Sequence, residues 1–390
     1  MTKIQEVPRT APIPLADLVA MNTEVEPDVR AAWDRIIASS GFIGGDAVSQ
    51  FEELWARYCG TDHAVAVANG TEAIELVLRA LGIGEGDEVL LPANTFIATA
   101  EAVVLSGATP RFLDVDAATL LVTPEIVRAA ITPRTAALIA VELYGNMPRM
   151  VHLAHLAASS GIALIEDAAQ AQGATLNGRA AGSFGTAGCF SFYPTKNLGA
   201  WGDGGCVVTN DAAVAAAVRS LANHGRAPGD ANAHDVIGRN SRLDALQAAV
   251  LTAKLGRLDD WTSARREAME IYRRTLNHEL VRFVEIEPHV SSAYHQNVVL
   301  ISERDAVQEQ LRRDGVHTGI HYPVPCHLQA PYRHFAQEPL VVAEETAGQL
   351  LSLPLFPHIT ERQIGYVCDR IHKCLDQLAG HSRERRRSYG

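Results

Sequence analysis

Lys196 closes the run Ser191-Phe192-Tyr193-Pro194-Thr195-Lys196-Asn197, and glycine-rich Gly199-Ala200-Trp201-Gly202-Asp203-Gly204-Gly205 follows. Most lysines are solvated, but one placed after a short aromatic strand and a proline is expected in a pocket. There, desolvation lowers its pKa and makes it a competent amine nucleophile. Ser191, among small residues, can offer a hydroxyl to an anion beside that lysine. A second group stands at Ile162-Ala163-Leu164-Ile165-Glu166-Asp167-Ala168-Ala169-Gln170, where an apolar strand ends on two adjacent carboxylates. One of them is expected to point into the crevice at the strand's carboxyl end. A buried carboxylate needs a cation, and a protonated pyridine nitrogen would supply one. Asp167 reads equally well as the cap of a following helix. The third group, Asn69-Gly70-Thr71-Glu72-Ala73, follows an apolar strand and opens an amphipathic helix. Free amides, the helix dipole and Gly70 suit a phosphate there, although the segment alone reads more simply as a glycine turn with a Thr cap.

The elements that must position these groups alternate from about residue 61. Short apolar runs at His63–Ala68, Glu88–Leu91, Arg111–Val115, Thr135–Val141, Ile162–Glu166, Phe190–Phe192 and Gly204–Thr209 are strand candidates. Glu72–Leu81, Ile97–Ser106, Pro124–Ala130 and Met150–Ser159 have helical periodicity. This is the pattern of βαβ units building a buried parallel sheet, in which ligands lie outside the carboxyl ends of the strands. After about Asn240 the pattern changes. Helices are expected at Leu243–Leu255, Trp261–Leu276 and Asp305–Arg313, and strands at Tyr294–Ile301 and His317–His321, which suggests a smaller α+β unit. The expected division is 1–240 for an N-terminal arm and large α/β domain, and 241–390 for connecting helices and the small domain. The arginines at the end of the chain (Arg383, Arg385, Arg386 and Arg387) read as a solvated, frayed tail.

With 390 residues and 47% hydrophobic content the chain can bury a large core. Its formal charge of -11 argues against nucleic acid or an anionic membrane as partner. The six cysteines form no CxxC pair and no metal-spaced cluster, so they read as reduced core thiols, and no metal is expected. The first residues lack a signal pattern and no apolar run is long enough to cross a bilayer, which together lead to an expected cytoplasmic location.

Asn69-Gly70-Thr71, Pro92-Ala93-Asn94-Thr95-Phe96, Glu166-Asp167-Ala168-Ala169-Gln170 and the run from Ser191 to Asn197 together resemble the DegT/DnrJ/EryC1/StrS sugar aminotransferases. The resemblance begins at Gly41-Phe42-Ile43-Gly44-Gly45 and covers nearly the whole chain. It implies an α/β fold of the aspartate-aminotransferase type, fold type I of enzymes that use pyridoxal 5'-phosphate. It also assigns roles. Lys196 would carry the cofactor as a Schiff base. Asp167 would pair with the pyridine nitrogen, Gln170 would bond the ring hydroxyl, and Phe96 would stack on the ring. Gly70, Thr71 and Ser191 would hold the phosphate, and Asn240, which alone reads as an N-cap, would reach it from the neighbouring subunit of a homodimer with shared sites. Tyr193 and the pair His321-Tyr322 match residues that line the substrate in members acting at carbon 3 of a dTDP-linked hexose, with carbon 4 enzymes sharing much of the loop.

The activity so implied is transamination of a nucleotide-linked keto sugar, with glutamate as donor. Three relatives or rivals are set against it. The dehydratase branch of the family has a histidine where this chain has Lys196. A non-catalytic regulatory relative should have lost a key polar residue, yet Asp167, Gln170, Ser191 and Lys196 are all present. A nicotinamide enzyme needs a G-x-G-x-x-G turn that Gly70 does not provide. An aminotransferase acting on a non-nucleotide ketone such as an inosose remains an alternative.

Overall fold

The computed structural model describes residues 12–388 apart from 228, 231 and 337, and the side chains of 380–388 are not described. Two helices, α1 (Leu18–Ser39) and α2 (Gly45–Cys59), precede the alternating region. Then come β1 (His63–Val67), α3 (Gly70–Ala80), β2 (Glu88–Pro92), α4 (Ile97–Leu105), β3 (Thr109–Leu113), α5 (Pro124–Ala130), β4 (Thr135–Val141), α6 (Met150–Ser160) and β5 (Ala163–Asp167). A small hairpin, β6 (Thr175–Leu176) and β7 (Arg179–Ala180), leads to β8 (Ala187–Ser191), β9 (Gly205–Thr209) and α7 (Ala212–Ala222). The remainder is α8 (Ala245–Leu255), α9 (Leu258–Thr275), β10 (Val281–Phe283), β11 (Val290–Ser291), β12 (Asn297–Ile301), α10 (Arg304–Arg313), α11 (Val341–Ala347), β13 (Leu350–Leu353) and α12 (Glu361–Ser388).

The central sheet runs β1-β9-β8-β5-β4-β2-β3. Leu90, Leu91, Leu138, Ile139 and Ile165 are wholly buried within it, as expected for parallel strands covered by helices on both faces. One strand departs from the expected parallel run: β9 is antiparallel to both β8 and β1. The chain between β8 and β9 carries no helix to make a crossover. Instead it folds back on itself, with Phe192 N donating to Gly204 O and Ala200 N to Phe192 O.

A second apolar cluster gathers Ile13, Met269, Tyr272, Leu311 and residues of β12, β13 and α12. Here two expected boundaries move. The strand expected from Tyr294 begins only at Asn297, because Tyr294 has a positive φ of 40°. The strand expected at His317–His321 is absent. A single antiparallel bridge joins Gly319 to Ser352, and Pro323 and Pro325, which lack N–H donors, stand where a ladder would continue. The arginine tail expected to fray lies on the backbone of α12 as far as Ser388, and its side chains fall outside the described residues. The N-terminal segment read for a signal pattern also lies mostly outside them. No described helix is long and apolar enough to cross a membrane.

Candidate active site

The carboxyl ends of β1, β2, β4, β5 and β8 open on one cavity of about 360 Å³, lined by Gly70, Thr71, Phe96, Asp167, Gln170, Ser191, Tyr193, Lys196, His321 and Tyr322 among others. Each arrives by a separate local cause. At the β1–α3 junction Asn69, not Thr71, caps the helix, its Oδ1 accepting from Glu72 N at 2.9 Å. Thr71 is thereby left to face the cavity. A Cβ on Gly70 would lie 2.7 Å from Ser191 Cβ, so glycine is what lets the start of α3 touch the end of β8. Gly70→Ala is expected to cost about 1–3 kcal/mol of stability through overpacking and to weaken binding of a phosphorylated ligand. Urea unfolding and a ligand titration of the variant check both.

The loop bearing Lys196 is set from behind by aromatic packing. Trp55 of α2 lies edge-on to Phe190 and Phe192 at 4.9 and 5.5 Å, and Phe51 to Phe192 at 5.3 Å. Lys196 N donates to Tyr193 O at 2.8 Å, and the buried ammonium of Lys254 donates to Gly199 O at 2.7 Å. The Lys196 side chain itself is turned into the cavity. Burial pushes its pKa down to about 8 against the opposing charge of Asp167, so the free amine is accessible near neutral pH.

Strand alternation separates the two carboxylates of β5. Glu166, wholly buried, accepts from Gly182 N, Phe184 N and Gly185 N at 2.9, 2.6 and 2.6 Å. Asp167 faces the cavity, and no helix follows it to be capped. Its Oδ2 accepts from Thr99 Oγ1 at 2.7 Å and its Oδ1 from Ala169 N at 3.2 Å. Burial still raises its pKa despite those donors, so a cationic ring nitrogen placed against it would be favoured. Gln170 is held by Tyr144 N, which donates to its Oε1 at 2.7 Å, while its Nε2 donates to Tyr322 Oη at 3.1 Å. Phe96 is 51% exposed at the cavity, 5.5 Å from the Tyr322 ring, and Tyr193 is 53% exposed. Ser191 Oγ accepts from Tyr193 N at 3.3 Å, which leaves its proton for an anion. His321 Nδ1 lies 2.7 Å from Ser352 Oγ, and burial and the Lys196 charge pull its pKa down to about 4.

Of the residues singled out from sequence, Asn240 alone is not brought to this cavity within its own chain. It is exposed and bridges Asn223. The sequence reading missed Thr99, Tyr144, Asn197 and His295. Thr99 has a signal of sorts, one turn after Thr95 on the helix following β2, and the two hydroxyls lie 2.8 Å apart. His295 has none, since only the tertiary fold brings it beside Lys196. Among the described residues no group of three or more metal-ligating side chains is found.

Residues 24–372 match the DegT/DnrJ/EryC1/StrS aminotransferase family. The chain is similar to the UDP-N-acetyl-3-dehydro-alpha-D-glucosamine 3-aminotransferase of Acidithiobacillus ferrooxidans, with 43% identity over 93% of this chain and 98% of the relative. It is 39% identical, over 97% of this chain and 99% of the relative, to the dTDP-3-amino-3,4,6-trideoxy-alpha-D-glucose transaminase of Streptomyces venezuelae. The crystal structure of S. venezuelae DesV in complex with a ketimine intermediate superposes with a TM-score of 0.90 at 40% identity, covering 93% of this chain and 98% of that one. The architecture is therefore fold type I, and the chain belongs to the DegT/DnrJ/EryC1/StrS aminotransferase family, whose enzymes depend on pyridoxal phosphate.

Proposed function

We propose that this enzyme aminates a keto sugar linked to a nucleoside diphosphate, at carbon 3 of a dTDP-linked hexose in the first instance, with glutamate as amino donor. The observation that carries this reading is that Lys196 and Asp167, close enough for their charges to interact, line one cavity together with the Gly70–Ser191 contact. The cavity thus offers an amine, a carboxylate for a ring cation and an anion cradle in one enclosure. Both relatives named above bear names that specify a 3-amino sugar on a nucleotide.

Pyridoxal phosphate, when bound, supplies an aldehyde for amine capture and an electron-accepting ring. The residues of this chain then have separate tasks. Asp167, its carboxylate held by Thr99, would keep the ring nitrogen protonated. Gln170 would bond the ring hydroxyl, Phe96 would pack against the ring, and Thr71, Ser191 and the amides at Gly70 would hold the phosphate. Lys196, as the free amine, would hold the cofactor covalently and, when released, would be the group placed to take up or give a proton at the substrate carbon. Tyr193, His321 and Tyr322 line the sugar.

Lys196 is the cavity's sole lysine or arginine among the described residues. The phosphate charges of cofactor and substrate therefore need help from outside this chain's own cavity. In this reading the enzyme is a homodimer, and Asn240, exposed and outside the cavity of its own chain, adds a hydrogen bond to the phosphate from the partner subunit. The test is a panel of UDP- and dTDP-linked 3-keto and 4-keto hexoses with glutamate, read as 2-oxoglutarate formed. Turnover with a 3-keto dTDP-hexose is the expected result. Amino transfer only to a non-nucleotide ketone such as an inosose would overturn the substrate assignment while leaving the chemistry.

A further inference from the structure

His295 lines the same cavity and is 8% exposed. Its ring is oriented by a residue adjacent to Lys196. The side-chain amide of Asn197 donates through Nδ2 to Ala293 O at 2.8 Å. A carbonyl oxygen can only accept, so this bond fixes which way the Asn197 amide faces. Its Oδ1 therefore points to His295 Nδ1, 3.2 Å away, and that oxygen can also only accept. The proton of a neutral His295 must then sit on Nδ1, leaving Nε2 as a lone-pair acceptor with no hydrogen-bond partner among the described residues. Neutrality follows from the surroundings: burial first, then the charges of Lys196, Arg265 and His321, hold the pKa well below the ordinary histidine value. Lys196 influences the ring through its charge and makes no hydrogen bond to it.

We propose that His295 is a specificity-determining residue whose Nε2 accepts a hydrogen bond from a hydroxyl of the sugar. This rests on the substrate class proposed above and adds to it a requirement for a donor at one position of the sugar ring. Lys196, when protonated, is a donor only and offers the hydroxyl no acceptor, and Tyr322 Oη already accepts one bond from Gln170. A sugar presenting no hydroxyl at that point would leave a desolvated acceptor unpaired, a cost that corresponds to about ten- to hundredfold in affinity.

The experiment measures calorimetric dissociation constants of dTDP-hexoses and UDP-hexoses, and of bare dTDP and UDP, for the holoenzyme and for its His295→Phe and His295→Gln variants. The phenylalanine keeps a ring and removes the acceptor, whereas the glutamine carbonyl can stand near the position of Nε2. The expected result is about ten- to hundredfold weaker binding of the hexoses by His295→Phe, unchanged binding of the bare nucleotides, and recovery of most of the loss in His295→Gln. An absorbance titration with pyridoxal phosphate establishes that each variant still takes up the cofactor before its affinities are compared. Hexose binding by His295→Phe equal to the parent's overturns the proposal, as does an equal loss for bare nucleotides. If the phenylalanine variant does not fold, the unaltered enzyme decides through hexoses deoxygenated singly around the ring. One position should then cost about tenfold or more, and uniform affinities overturn the assignment. A parent enzyme that binds no sugar nucleotide removes the proposed substrate class as well, an outcome distinct from losing His295 alone.

Discussion

Lys196→Ala should turn over at least about 10⁴-fold more slowly than the parent, because in the proposed function one amine would both hold the cofactor and carry the proton, and general acid–base catalysis alone contributes up to about that factor. No second lysine or arginine lines the cavity among the described residues, so no neighbour can substitute. Cofactor binding should survive in weakened form. The proposed phosphate cradle at Gly70, Thr71 and Ser191 and the carboxylate of Asp167 are untouched by the change. Steady-state assay of 2-oxoglutarate formation, together with an absorbance titration of the variant with pyridoxal phosphate, separates the two effects. A variant that turned over normally would sink the assignment of Lys196.

Asp167→Asn should give the next largest loss. Removing one partner of a buried ion pair costs about 3–5 kcal/mol, which is about 10²- to 10⁴-fold in rate if the ring cation is needed in the transition state. Two companion effects mark the mechanism. The Asp167 charge raises the pKa of Lys196, so its removal should move the amine below about 8. Capture of pyridoxal phosphate by the cofactor-free protein should then reach half its maximal rate at lower pH, even as turnover falls. The second effect concerns stability. Burial holds the folded-state pKa of Asp167 above its unfolded value, so its ionised form opposes folding as pH rises past the unfolded pKa. The cofactor-free Asp167→Asn protein should therefore be at least as stable as the parent at pH 7, by urea unfolding. A variant that is destabilised when cofactor-free would point instead to a structural role.

The residues most legible from sequence are those whose job is local. The apolar run into Glu166-Asp167 and the glycine after β1 announce a strand end and a helix start, and β4 and α5 match their expected bounds. The antiparallel β9 was not legible, because β8 and β9 are both short apolar strands and the pattern of a strand does not encode its direction. Helices α1 and α2 fall before the first expected alternation. Their purpose emerges only in three dimensions, where Phe51 and Trp55 support Phe190 and Phe192. His295 and Asn197 lie 98 residues apart, and no spacing rule connects them. The motif nevertheless contained the link, since Asn197 ends the run that made Lys196 conspicuous.

The adjacent acids of β5 do different work, and losing each would have a different consequence. Position 166 accepts from backbone amides of the Gly182–Gly185 turn inside the protein, whereas position 167 faces the cavity. Drift at the first would be seen as a shortage of folded protein in the cell. Drift at the second would leave abundant protein with no work to do, and a lineage that gave up amino transfer could change Asp167 freely while still retaining Glu166.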